Sequence, residues 1–356
     1  MKAYYLGFNL TPGIGPIRLR RLLEHFHSPE RAWNASAAEL RAAGLEKKYI
    51  SNLTATRARV SLPEELARIR KLGISLLTWD DPGYPSHLRH IYAPPPLLYT
   101  RGTLLPDEPM VAIVGTRRAT TYGREVARRL AQELARNGVT VVSGLALGID
   151  TEAHKGTLAA GGRTIGVLAC GVDRPYPLRN RQLAAKIVDQ GALVSDYPPG
   201  TAPEARNFPP RTRIISGLSL GVVVVEAGER SGALITCNFA MEQGRDVLAV
   251  PGSIFSPTSH GCHNLITEGA RLVRNVEDIL DELHLTQAAA QQEARRIVLE
   301  DPVEAMVLES LSPEPLHVDE LGRVCDLSAA AVSSILTLLE LKGLARHVGG
   351  MQYVRT

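Results

Sequence analysis

Aromatic residues make up only 5% of this 356-residue chain, and cysteine is scarcer still, with four in all. Cys170, Cys237, Cys262 and Cys325 are far apart and form no Cys-x-x-Cys pair. That excludes a disulfide-stapled secreted scaffold and fits free thiols in a reducing compartment. No apolar run approaches the ~20 residues that cross a bilayer. The longest candidate, Leu220-Gly-Val-Val-Val-Val225, is β-branched and has the length of a core strand. No signal pattern stands at the amino terminus, so a soluble cytoplasmic protein is expected, with no membrane partner. The Gly-x-Ser-x-Gly elbow and the Gly-x-x-x-x-Gly-Lys-Ser/Thr loop are both missing, which removes the α/β-hydrolase nucleophile and the Walker ATPase. His260-Gly-Cys-His263 offers three ligand types, but its spacing matches no standard zinc pattern, and no metal is expected.

A strong net charge is also absent, at +3, but the charge is graded along the chain. Residues 1–107 carry 15 Lys+Arg against 9 Asp+Glu, residues 108–283 carry 19 against 18, and residues 284–356 carry 6 against 10. A polyanionic partner is therefore expected at the front and middle, not at the acidic end.

What the chain does have is glycine and proline, 31 and 23 residues, and 44% hydrophobic content, the mix of an α/β protein with many tight turns. Residues 1–62 read as a small helical domain. There, Leu10-Thr-Pro-Gly-Ile-Gly-Pro16 precedes an amphipathic helix over Ile17–Phe26 and resembles the turn of a helix-hairpin-helix element. Such a turn presents backbone amides to a DNA phosphate; a plain glycine-rich connection is the other reading. Residues 63–108 contain a helix–strand pair ending at Thr78, then Pro-rich stretches that read as an ordered connection. Residues 109–284 alternate strand and helix, as in a doubly wound, mostly parallel sheet. Strands are expected at Val111–Val114, Val139–Ser143, Thr164–Ala169, Leu193–Ser195, Gly221–Val225, Asp246–Val250 and Arg271–Val273. Residues 285–299 read as a solvated linker, and 300–356 as a winged-helix outline. The segment in the recognition-helix position, from Ser328, has no basic residue before Lys342, which argues against base reading by the tail.

The chain is organised around Met110-Val-Ala-Ile-Val-Gly-Thr-Arg-Arg118, an apolar strand feeding a glycine turn and then a helix. The turn leaves amides where an anion is favoured, and Arg117 and Arg118 add charge there. Any βαβ protein has such turns, so the loop alone reads equally as a phosphate site or as a plain strand–helix turn. Glycine and polar residues recur after the other strands, at Ser143-Gly144, Cys170-Gly-Val-Asp173, Asp196-Tyr197, Glu226 to Gly232 and Pro251-Gly252, all on one sheet edge. Asn207-Phe-Pro-Pro-Arg-Thr-Arg213 sets a ring three residues from one arginine and five from another, the tools for a base and a phosphate. Asp150 and His154, at i and i+4, share a helix face and read as a structural hydrogen-bonded pair rather than a catalytic one.

Val-Gly-Thr-Arg-Arg, Ser-Gly-Leu-Ala-Leu-Gly-Ile-Asp-x-x-Ala-His, Asn-Phe-Pro-Pro-Arg-Thr-Arg-Ile-Ile, Ser-Gly-Ala-Leu-Ile-Thr and Ala-Val-Pro-Gly occur in that order, and with them the chain resembles the DNA processing protein A (DprA/Smf) family. The resemblance implies an extended Rossmann-like core with a helical N-terminal domain and a C-terminal winged-helix domain. It implies a non-enzymatic single-stranded DNA-binding protein, without cofactor, that protects incoming DNA in natural transformation, loads the RecA recombinase and dimerises through its core. The family's strand-end arginine maps to Arg117, its base-stacking aromatic to Phe208, and its arginine pair to Arg211 and Arg213. The family's Arg-Asn-Arg is Arg-Thr-Arg here, a departure that bears on the contact the resemblance would give the middle amide at Thr212. The expected DNA-contacting set is Gly115, Thr116, Arg117, Arg118, Ser143, Gly144, Lys155, Asn207, Phe208, Arg211, Arg213, Ser231 and Gly232. The rival is a nucleoside-monophosphate phosphoribohydrolase-like enzyme on the same core. Glu226-Ala-Gly-Glu-Arg-Ser-Gly-Ala matches that pattern only in part, lacking its doubled glycine and threonine.

Overall fold

Strands covered by helices on both faces read as near-continuous apolar runs. Met110–Val114, Thr140–Ser143, Thr164–Val167, Ala192–Ser195 and Gly221–Val224 are buried at every position. The computed structural model describes residues 1–285, 302–312, 315–341 and 344–355. In it these runs are β3 to β7, joined by β1 (Ser75–Thr78), β2 (Leu97–Gly102), β8 (Asp246–Ala249) and β9 (Arg271–Leu272). The sheet order is β1-β2-β6-β5-β4-β3-β7-β8-β9. From β6 to β9 all neighbours are parallel, whereas β1–β2 and β2–β6 are antiparallel. Each expected strand of the parallel part is present, with ends within about two residues. Leu97–Gly102 differs from expectation: read as connection because three prolines precede it, it is a strand between β1 and β6. Proline stops before its first residue, so every ladder donor survives.

The helices between strands are α7 (Ser86–Arg89), α8 (Thr121–Arg136), α9 (Ile149–Ala159), α10 (Arg181–Gln190), α11 (Phe208–Leu218), α12 (Ala233–Glu242), α13 (His260–Thr267) and α14 (Val276–Glu282) in chain order after six N-terminal ones. Those six are α1 (Lys2–Asn9), α2 (Pro16–Phe26), α3 (Pro29–Asn34), α4 (Ala37–Ala42), α5 (Lys47–Arg59) and α6 (Leu62–Lys71). Gly138 and Gly244, at φ of +72° and +66°, end α8 and α12 in the left-handed conformation that favours glycine.

The N-terminal helices share their core with the sheet. Tyr5, Leu6, Phe8, Leu19 and Leu22 pack in one cluster with Leu97, Tyr99 and Leu193. The Tyr99 hydroxyl donates to Asn9 Oδ1 (2.8 Å), and Asn9 Nδ2 donates to the Asp196 carbonyl (3.1 Å), tying α1 to β2 and to the end of β6.

The chain divides into two compact units, Met1–Ile279 and Leu280–Thr356. In the second, α15 (Pro302–Ser310), α16 (Val318–Cys325) and α17 (Ala329–Leu341) pack around Val307, Leu321, Val332, Leu336 and Leu339. A three-stranded sheet of β10 (Leu316–His317), β12 (Gln352–Arg355) and β11 (Ala345–Gly349), in that order, completes a winged helix. The linker expected over 285–299 lies, from residue 286, outside the described residues. The four cysteines are free and buried. No single helix among the described residues is long and apolar enough to cross a membrane.

Candidate nucleic-acid interface

The strand order turns back at β3, with β4 on one side and β7 on the other, and the loops that leave the carboxyl ends there enclose a crevice. Gly115 must lack a side chain, since a Cβ would press on Ile149 and the Glu226 carbonyl at 2.6 and 2.9 Å. The next residue is held from both sides. Thr116 N–H donates to the Glu226 carbonyl (2.7 Å), and its own carbonyl accepts from Ile149 N–H (3.2 Å). Arg117 and Arg118 follow as exposed side chains, with no ion-pair partner among the described residues.

The facing wall is the start of α11. Pro209 and Pro210 suit its first turn, where their missing N–H groups would have no partner. Phe208 sits half-buried at the helix start, with the Arg117 guanidinium 5.2 Å and that of Arg211 6.0 Å from its ring centroid. The Tyr176 ring stands edge-on to it, at 6.1 Å and 68°. Ser231 and Gly232, from the loop after β7, line the groove with Gly115, Thr116 and the two exposed arginines; its volume is about 750 Å³. Helices α9, α11 and α12 start at this edge, so their positive dipole ends add to the arginines.

Arg211 forms the floor. It is 5% exposed, and Nη1 donates to the carbonyls of Gly144 (2.8 Å) and Val167, fastening the ends of β4 and β5. Burial pulls its pKa below the ordinary arginine range, and nearby Asp150 opposes that. Asp150 is the one carboxylate among the lining residues. Burial raises its pKa, and the Arg211 charge draws it back.

The expected Asp150–His154 pair is not formed. Asp150, in the first turn of α9, accepts from the Gly144 (3.0 Å) and Ala146 (3.3 Å) amides instead. His154 is wholly buried with Nδ1 2.7 Å from Thr164 Oγ1, and burial pushes its pKa down to about 3, so it is neutral.

Of the expected contact residues, Gly115, Thr116, Arg117, Arg118, Phe208, Arg211, Ser231 and Gly232 come together at the groove. Five do not. The Ser143 hydroxyl is buried and donates to the Ile113 carbonyl (2.6 Å), and Gly144 lies beneath Arg211. Asn207 is buried and is not among the groove's lining residues. Lys155 pairs on the surface with Glu152 (3.0 Å). Arg213 lies two residues beyond Arg211 on a helix and so faces the other way. It binds Asp196 (2.7 Å) and the Ala93 carbonyl.

Tyr176 was not among the expected residues; the Tyr-Pro step after a glycine loop at a strand end was its signal. The ligand types of His260–His263 diverge: Cys262 Sγ faces the Val224 carbonyl, His263 Nε2 the Gly252 carbonyl, and His260 approaches Glu229. Glu226 turns away from the groove. Its carboxylate accepts from the Thr120 amide (2.9 Å) and hydroxyl, binding β7 to the start of α8.

Residues 75–284 match the DNA recombination-mediator protein A family, and residues 286–351 match the DprA winged helix domain. Protein Smf of Synechocystis sp. is 37% identical over 99% of this chain and 98% of its own length. The X-ray structure of DNA processing protein A from Streptococcus pneumoniae superposes with a TM-score of 0.70 at 36% identity, covering 79% of this chain and 98% of that one. A structure of DNA processing protein A from Helicobacter pylori, described for its single-stranded DNA binding mode, gives 0.54 at 30% identity, covering 59% and 95%.

Proposed function

Since the chain belongs to the DNA recombination-mediator protein A (DprA/Smf) family, we propose that its groove binds single-stranded DNA and that the protein passes such strands, protected, to the RecA recombinase in natural transformation. The observation that carries the reading is Arg117 over the Phe208 ring, with Tyr176 beside it, in a groove of three arginines and one engaged carboxylate. Arginine neutralises phosphate, and a ring offers stacking that any base accepts, so little sequence preference is expected. A paired, stacked base in a duplex has no free face for a half-buried ring. The Helicobacter neighbour's described single-stranded DNA binding supports the same assignment. The acting species is a homodimer in this reading, and mass measurement in solution tests that.

The protein acts without catalysis in this reading. A phosphoribohydrolase needs a carboxylate facing its substrate, whereas Glu226 is bound to Thr120 and Asp150 to two amides. Incubation with nucleoside monophosphates should release no free base; release would reverse the assignment.

The main test is oligo-dT against duplex across a salt series. Single strands should bind more tightly, and affinity should fall as salt rises through counterion release. Equal affinity for duplex, or a flat salt response, would overturn the reading. Arg117→Ala should weaken all sequences alike and reduce the salt slope by about 0.7, the value for one phosphate contact on a single strand.

Removing residues 300–356 should leave DNA affinity nearly unchanged in a gel-shift titration. Residues 284–356 carry 6 basic against 10 acidic residues, and α17 has no Lys or Arg where a recognition helix needs them. A large loss of affinity would contradict this.

A further inference from the structure

Resting on the groove reading, we propose that a bound strand continues past Phe208 along the same sheet edge into a second base-accepting pocket built on Trp79. Two antiparallel pairings separate β1 from β6, so β1 points the same way as the parallel strands. Trp79, directly after β1, therefore opens on the edge that carries Gly115 and Phe208.

Trp79 lines a cavity of about 400 Å³ with Arg20, Leu23, Arg89 and Pro94. The Arg20 guanidinium lies 5.7 Å from the Trp79 ring centroid and has no ion-pair partner among the described residues. Arg89 donates to the carbonyls of Trp79 (2.6 Å) and Asp81 (3.0 Å), fixing the backbone under the ring. This is the pairing of ring and guanidinium seen at Phe208 and Arg117. Glu24 and Asp80 also line the cavity and balance the two arginines, so it suits a base rather than a phosphate.

A chain of contacts links the two sites. The Tyr197 hydroxyl lies 3.5 Å from the Asn207 carbonyl, beside Phe208. Asp196 holds Arg213, whose other nitrogen reaches the Ala93 carbonyl. Tyr92, 81% exposed, precedes Ala93, and Pro94 follows it as a wall of the Trp79 pocket. Four aromatic residues, Phe208, Tyr197, Tyr92 and Trp79, thus stand at or next to successive links of that chain. From the end of β3, which carries Arg117, to the end of β1, which carries Trp79, the edge crosses five strand spacings, about 24 Å at ~4.8 Å each. A short oligonucleotide fills the groove alone, while a longer one reaches Trp79.

The chain has two tryptophans, and Trp33 is 6% exposed and packed on Phe8, so an emission change on binding reports Trp79. The experiment titrates the full chain with oligo-dT of about 4 and about 20 nucleotides, lengths bracketing the usual site size, following emission and affinity. Only the longer strand should change the emission. Arg20→Ala should weaken the longer strand by about fivefold and leave the shorter one unchanged. If both lengths bind with unaltered emission, and Arg20→Ala binds both like the parent, the second pocket is overturned while the groove stands. If neither length binds, the groove reading falls, and this one with it.

Discussion

Arg211→Ala is expected to lower the unfolding free energy by about 3 kcal/mol and to abolish oligonucleotide binding together with it. The stability loss follows from the two carbonyls that Arg211 Nη1 bridges at the ends of β4 and β5. Both acceptors belong to buried residues, and each one orphaned costs about 1–3 kcal/mol. Gly144 is shaped to this side chain, since a Cβ there would run into the guanidinium. Asp150 also loses the positive charge that offsets its burial. Urea titration gives the stability, and an unchanged midpoint would remove Arg211 as the floor of the groove. Arg211→Lys separates the two effects: an ammonium is a point charge without the planar fork, so it should restore part of the stability but less of the binding.

The second large effect is on affinity alone. Phe208→Ala should weaken oligo-dT binding by about 1–3 kcal/mol, roughly 5–150-fold, through lost base stacking. The ring is half-buried at the start of α11, where Pro209 and Pro210 set the helix turn, so the fold should survive its loss. Phe208→Trp should keep or raise affinity, because stacking needs only a π face. Wild-type affinity in a folded alanine variant would mean that the groove grips phosphates only.

Where the sequence was legible, the reason is a repeated physical constraint. Each parallel strand must be apolar on both faces, and each helix must stop, so the runs and the glycines after them mark the sheet with little ambiguity. The groove's anchors were legible for a related cause. A glycine that must admit backbone, as at Gly115, and a ring beside arginines, as at Phe208, have few other uses at a strand end. Direction within a helix was harder to read. Arg211 and Arg213 look equivalent in the sequence, yet their spacing sends one under the groove and the other to Asp196. Asp150 and His154 failed for a different reason: correct spacing for a pair loses to two backbone amides at the helix start. Leu97–Gly102 was hidden by the prolines before it, and Tyr176 because its value comes from Phe208, some thirty residues on.

The shared packing of α1 with β2 and β6 bears on where this protein can be cut. The first sixty residues look like a detachable front piece in the sequence, but Tyr99, Leu97 and Leu193 have them as their cover. A chain begun after α6 would present that apolar sheet face to solvent, together with a Tyr99 hydroxyl stripped of Asn9. Such a shortened protein is expected to aggregate unless something else seals the face, so the helical front is a wall of the building rather than a porch.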